Sequence, residues 1–282
     1  MTPQWSICIG SLFALWFSGH AQAMCQEPAV PVDPIPAHDE LQLKSTVLKE
    51  SRPVNVLLPK QYSNADLRFP VLYMLDGGLE EDFPHVARSI EKLVETKQIA
   101  PLILVGIQNT ERRRDLTGPT SKASDLEIAP RVGGSAQFRA FIRDELMPEI
   151  HKRYRCSQED AVIGESLAGL FVVETLLIEP KLFDRYIAFD PSLWWNEHQL
   201  VDSAEKSLKS MDTTPRHFWF ASSATEGIAE HSKQLATVLR QSQPESLRWK
   251  FEDHPSEQHS TIFRATKESA MTWTLWKPTG SN

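Results

Sequence analysis

Cysteine is almost missing from this chain: three occur in 282 residues. One of them, Cys8, lies in an N-terminal apolar block, and the remaining pair, Cys25 and Cys156, could bond in an oxidising compartment without amounting to a disulfide framework. No C-x-x-C, H-E-x-x-H, G-x-G-x-x-G or G-x-x-x-x-G-K-[ST] occurs, so redox, zinc and nucleotide chemistry have no motif to stand on and no cofactor is expected. The nine histidines are scattered and form no ligand cluster. Apolar runs are short. The longest block, residues 5–18, falls under the ~20 residues needed to span a bilayer, so no stable membrane insertion is expected. Positive charge is outweighed as well: the formal net charge is −7, a poor match for nucleic acid or an anionic membrane.

The apolar block is followed by Ala21-Gln22-Ala23, the small-x-small pattern of a signal-peptidase site. Residues 1–23 are therefore expected to be a signal peptide cleaved near Ala23, although only the amino terminus supplies positive charge ahead of the block. The destination is periplasmic or secreted. Residues 24–39 are rich in proline and are expected to be an extended lead-in to a catalytic domain over 40–276. No composition shift marks a linker between two cores.

Along that domain, residues 43–49 and 53–58 are predicted to form two strands joined by a tight turn at Ser51-Arg52. The unbroken apolar runs 70–75 and 102–107 have the character of strands covered on both faces. Between them, Val86, Ile90, Leu93 and Val94 have helical spacing. A polar stretch, 108–134, reads as a long loop, of a length that is usually functional or disordered. A helix is predicted over 137–154, where Pro148 should kink it. Further strands fall at 161–164, 185–189, 217–221 and 247–251, and further helices at 167–178, 203–211, 228–239 and 260–276. Eight strands alternating with helices imply an α/β fold: a mostly parallel eight-stranded sheet with helices on both faces.

Chemistry concentrates at Gly164-Glu165-Ser166-Leu167-Ala168. A glycine two residues before a serine and a small residue two after it, set between an apolar strand and an apolar helix, form a nucleophile elbow. A serine hydroxyl needs a base and usually a carboxylate behind it. On an α/β-hydrolase sheet these follow in the order serine, acid, histidine. His259, in the loop after the eighth strand, is the expected base, ahead of His254. Glu226, after the seventh strand, is the expected acid. Asp190, at the end of the sixth, is the competing acid, and a serine-histidine dyad with no acid is a third arrangement. Backbone donors for an oxyanion are expected from Leu167, at the start of a helix, and from Gly78, with Gly77 or Leu79 as alternatives. Of the adjacent Trp194 and Trp195, one belongs to the core, and Trp195 is taken as a wall of the substrate pocket.

As a set, residues 71–77, the loop 112–117, the helix 134–154, Ile163 to Phe171, Pro191 to Trp195 and His259 resemble the putative-esterase family over about residues 40–275. That family includes esterase D-like enzymes, siderophore esterases of the enterochelin and salmochelin type, and antigen 85 acyltransferases. The resemblance implies an α/β-hydrolase fold, a serine nucleophile, no metal and ester or thioester hydrolysis, with a small-molecule ester as the expected substrate. By position it supports Ser166, His259, Leu167 and Gly78, and it departs at Ala168, where relatives carry glycine. Anionic catecholate substrates would suit Arg112-Arg113-Arg114, and Arg112 is the expected substrate contact; pairing of these arginines with Asp115 and nearby carboxylates is the competing reading. The expected function is an exported serine esterase acting through an acyl-enzyme. An acyltransferase of the same fold and a binding protein that retains the fold are the alternatives; partition of acyl groups to added alcohol separates the first, absence of turnover the second.

Overall fold

The strands assemble in the order β1-β2-β4-β3-β5-β6-β7-β8, and the inner ones are apolar and mostly buried on both faces. The computed structural model describes residues 35–129 and 131–278; the expected signal peptide, Cys25 and most of the lead-in lie outside them. Strands β1 (Asp39–Ser45) and β2 (Glu50–Leu57) form an antiparallel edge. The others, β3 (Phe69–Met74), β4 (Ile103–Ile107), β5 (Cys156–Glu165), β6 (Arg185–Phe189), β7 (Arg216–Ser222) and β8 (Leu247–Asp253), run parallel to one another. Every residue of β3 and β4 is buried, as helices on both faces require.

The helices follow in chain order: α1 (Phe83–Glu95), α2 (Arg112–Leu116), α3 (Ala123–Ile128), α4 (Ser135–Phe141), α5 (Met147–Arg153), α6 (Leu167–Ile178), α7 (Gln199–Asp202), α8 (Ala204–Lys209), α9 (Ile228–Ser242) and α10 (Ile262–Thr274). One core joins Phe138, Phe171 and Leu235, from α4, α6 and α9, to one face of the sheet. The other joins Phe83, Ile90, Phe263 and Met271, from α1 and α10, to the opposite face. Helix α6 is buried from Leu167 to Leu177, the mark of a helix enclosed on all sides.

Three local expectations are corrected. The β1–β2 turn lies at Thr46–Lys49, not at Ser51-Arg52. It is held from elsewhere in the chain, because Thr46 and Val47 donate their N–H groups to the Glu145 carboxylate at 2.8 and 3.1 Å. The stretch 108–134 is not bare loop, since it carries α2 and α3. The helix predicted over 137–154 is not one regular α-helix around Pro148. A π turn at Ile142–Leu146 separates α4 from α5, with the Met147 N–H donating to the Ile142 carbonyl, and the extra residue makes room for the ring and its missing donor.

What positions the functional residues is register. Glu165 pairs with Phe189, Phe189 with Ala221 and Ala221 with Glu252 across three adjacent strand pairs. The residues that leave β5, β6, β7 and β8 therefore emerge along one carboxyl edge, where open α/β sheets bind ligands.

Candidate active site

Ser166 is the first residue off β5 and directly precedes α6, with φ 60° and ψ −119°. A non-glycine residue in this region costs roughly 1–3 kcal/mol and persists only where its surroundings impose it. They do so here: the Ser166 N–H donates to the Phe189 carbonyl at 2.9 Å, and its carbonyl accepts from Leu170 and Ser192 at 2.9 and 3.0 Å. Two glycines make the turn possible. A Cβ on Gly164 would lie 2.7 Å from the backbone carbon and the Cβ of Ala168, and one on Gly169 would lie 2.9 Å from the Phe189 carbonyl oxygen. The methyl group of Ala168 is thus accommodated because Gly164 has none.

His259 reaches back from the loop between β8 and α10. Its Nε2 stands 3.0 Å from Ser166 Oγ, and its Nδ1 stands 2.8 Å from Oδ2 of Asp190. The hydrogen bond to Asp190 raises the imidazole pKa above its ordinary value against the lowering effect of burial. His254 is turned elsewhere, with Nε2 3.0 Å from Glu252.

The acid is where the sequence-based expectation is corrected. Glu226 is exposed at the tip of the β7–α9 loop, and the carboxylate facing His259 is that of Asp190, fully buried at the end of β6. The chosen loop still matters, but through its hydroxyls. Ser223 donates its N–H to Asp190 Oδ1 at 2.5 Å and its Oγ hydrogen to Oδ2 at 2.7 Å, while Thr225 Oγ1 accepts the His259 N–H at 3.0 Å. Asp190 has φ 42°, a left-handed conformation that Asp tolerates better than most residues. The signal for it was a carboxylate ending an apolar strand next to the elbow strand. Nothing local in the sequence marked Ser223, Thr225 or Ser192, whose Oγ lies 3.4 Å from Ser166 Oγ.

Leu167 opens α6, where the first N–H groups of a helix have no intrahelical partner. Of the donors expected after β3, Gly77 is committed to the Ile107 carbonyl at 2.9 Å. Gly78 is buried beside it and donates to Glu81 Oε2 at 2.7 Å. Arg112 grips Asp76 with two bonds of 2.7 Å and brings Nη2 within 3.4 Å of the Glu165 carbonyl oxygen. The Glu165 side chain, half-buried beside Ser166, has its pKa pushed up to about 8, first by burial and then by the charge of Asp82. It is therefore largely protonated near neutrality.

Trp195 does not wall a pocket. Its ring belongs to the core, 4% exposed, and its indole N–H is committed to the Gly118 carbonyl at 2.9 Å. Trp194 is the half-buried member of the pair. The arginine run is also mostly spoken for: Arg114 pairs with Glu50, Glu111 and Asp115, in a network completed by the buried Arg52. Arg113 bonds the Ile128 carbonyl. A cavity of 410 Å³ is lined by Glu111, Arg112, Arg113, Arg114, Ala129 and Arg131, of which Arg112 also touches the Glu165 carbonyl. Among the described residues, no group of three or more His, Cys, Asp or Glu is placed to hold a metal ion, and no helix is long and apolar enough to cross a membrane.

A parallel sheet flanked by helices, with a strained serine on a strand-to-helix turn and a histidine in hydrogen-bond reach, defines the α/β-hydrolase class. The profile of the family described as "Putative esterase" matches residues 45–279, and the chain belongs to that family of ester hydrolases. It is 26% identical over 228 residues to the ferri-bacillibactin esterase BesA of Bacillus subtilis (strain 168), an alignment spanning 73% of this chain and 79% of that protein. An IroE-like serine hydrolase from Shewanella oneidensis superposes with a TM-score of 0.78 at 26% identity, over 84% of this chain and 79% of that one. The BES protein from Bacillus cereus shares the fold, with a TM-score of 0.74 at 21% identity over 88% of this chain and 97% of its own.

Proposed function

We propose that this protein is an exported serine hydrolase that cleaves carboxylic esters through an acyl-enzyme. The carrying observation is the unbroken line from Ser166 Oγ to His259 Nε2 at 3.0 Å and from His259 Nδ1 to Asp190 at 2.8 Å. In this reading His259 takes the hydroxyl proton as Ser166 Oγ bonds to the acyl carbon. Asp190 keeps the Nδ1–H tautomer in place and stabilises the imidazolium. The tetrahedral oxyanion is met by the N–H groups of Leu167 and Gly78. His259 then protonates the departing alkoxide, and a water, deprotonated by the same nitrogen, releases the acid and restores the serine.

Export rests on the apolar block and Ala21-Gln22-Ala23, with 24–39 as lead-in and 40–276 as the catalytic domain; the mass of the exported protein should correspond to a chain starting after Ala23. A siderophore-type substrate is supported by the relatives and by the arginine-lined cavity that Arg112 joins to the elbow strand. Arg112, Arg114 and Arg131 have carboxylate partners, which leaves Arg113 as the charge best able to meet an anionic catecholate.

The test is turnover of p-nitrophenyl esters of graded acyl length and of a catecholate lactone by wild type, Ser166→Ala and His259→Ala. Wild-type turnover that falls by several orders of magnitude in both variants is expected of one catalytic unit. Activity that survives Ser166→Ala would sink the proposal, and a catecholate lactone left intact by an otherwise active enzyme would remove the siderophore reading alone.

A further inference from the structure

Glu81 lies three residues beyond Gly78, and its carboxylate rests on the N–H that the proposed reaction needs. The Oε2···N distance is 2.7 Å. Glycine permits the approach, since a Cβ at position 78 would stand 2.8 Å from Oε2 and 3.0 Å from Cδ of Glu81. The carboxylate is also clasped from the other side, where Asn109 Nδ2 donates to Oε1 at 2.8 Å. The same amide nitrogen lies 2.5 Å from Asp76 Oδ1. Asp76 is held by Arg112, whose Nη2 reaches the Glu165 carbonyl at the elbow. A polar chain thus runs from the nucleophile turn to the donor after β3 and ends in a negatively charged oxygen on that donor.

A carboxylate oxygen on a backbone N–H offers the charge and geometry that a tetrahedral oxyanion would offer. One N–H cannot serve both fully, and two negative oxygens sharing it repel each other. We propose that Glu81 is an internal occupant of the oxyanion donor: it holds the Gly78 N–H in the resting protein, and the ester must displace it before the acyl carbonyl is polarised. This rests on the serine-hydrolase reading. Glu81 is half-buried, so its carboxylate has water to move into, and Asn109 Nδ2 can keep hold of Oε1 while Oε2 leaves the Gly78 N–H and the Asn109 N–H that stands 3.4 Å away.

The test compares wild type, Glu81→Gln and Glu81→Ala for inhibition by phenylboronic acid, which forms a tetrahedral adduct on a serine Oγ, and for kcat/KM on p-nitrophenyl acetate. Hydrogen bonds to charged groups are stronger than those to neutral ones. Inhibition should therefore tighten from wild type to Gln to Ala, by roughly tenfold at Ala, and kcat/KM should rise in the same order. The melting midpoint should fall, because the clasp between the β3 and β4 loops is lost. A Glu81 that only fastens those loops gives the opposite pairing of lower midpoint with weaker boronate binding, and that result overturns the proposal. Unchanged boronate affinity overturns it as well. Should Glu81→Ala fail to fold, Glu81→Gln keeps the length and one carbonyl oxygen and decides the matter alone. Turnover that does not depend on Ser166 removes the hydrolase reading and this inference with it. A Ser166-dependent wild type whose Glu81→Gln variant binds boronate no better removes the inference alone.

Discussion

Asp190→Asn separates the two acids that the chain offers to His259. In the wild-type structure the Asp190 carboxylate is fully buried and accepts from Ser223 N, Ser223 Oγ and the His259 Nδ1–H. An asparagine there retains the shape and loses the charge. Two consequences follow. In the proposed reaction, the imidazolium that forms as Ser166 is deprotonated loses the charge now bonded to Nδ1 at 2.8 Å; for charge centres about 4 Å apart that is worth about 4 kcal/mol at an effective dielectric of 20, or about 10³ in rate. An Asn NH₂ turned toward Nδ1 also favours the tautomer with hydrogen on Nε2, which cannot accept the serine proton; reversing that preference costs about one hydrogen bond, a further factor of roughly ten. The expected fall in kcat/KM is therefore about 10⁴, close to 5.5 kcal/mol of transition-state stabilisation. Glu226→Gln, changed at an exposed loop tip, should stay within about twofold of wild type, as surface substitutions usually do. The assay is ester hydrolysis at saturating and limiting substrate, with circular dichroism to confirm that both variants are folded. A folded Asp190→Asn that keeps most of its activity, or a Glu226→Gln that loses it, would refute the reasoning.

The raised pKa of His259 has consequences of opposite sign for activity and stability. In the proposed reaction the neutral imidazole is the base, so kcat/KM should rise as pH increases through a value above the ordinary 6.5 of histidine. The protonated pair with Asp190 stabilises the fold fully below the unfolded pKa, and that contribution is lost as pH rises through the folded value. A pH–rate profile set beside urea midpoints across pH 5–9 checks both, and a rate limb below pH 6 contradicts the assignment. Gly164→Ala should lower the melting midpoint, because the added methyl would meet Ala168 backbone 2.7 Å away and only a shift of the elbow relieves it. Overpacking of this kind costs about 3 kcal/mol at its upper end, or roughly 6–12 °C for a domain of this size. A variant melting within a degree or two of wild type would show that the turn is less constrained than its geometry indicates.

Much of the fold is legible in the chain because its strands and helices have strong local signatures. The runs at 70–75 and 102–107 could be read as doubly covered strands because every residue in them is apolar, and β3 and β4 are buried throughout. The β1–β2 turn was misplaced because a carboxylate about a hundred residues away, Glu145, holds it. No propensity at Thr46–Lys49 carries that information. Trp195 was misassigned for a related reason. Adjacent aromatics have the same chemistry, and only packing shows that Trp195 is committed to the Gly118 carbonyl while Trp194 is partly open.

By itself, the sequence determines the elbow. Gly164, Ser166 and Gly169 lie within six residues, and their roles depend on backbone sterics that any strand-to-helix turn of this kind must satisfy. It also offers the base and both candidate acids only in loops that follow β6, β7 and β8, strands parallel to the one that carries Ser166. Which carboxylate reaches His259 was decided only by tertiary structure. The β5–β6–β7 register places Phe189 beside both Glu165 and Ala221, so Asp190 emerges between the serine and the Ser223–Thr225 loop that holds it. Glu226, three residues beyond Ser223, has already turned toward solvent. The clasp of Glu81 by Asn109 is likewise beyond sequence patterning, because it requires the loops after β3 and β4 to meet, and their meeting is set by strand order rather than by the residues on either loop.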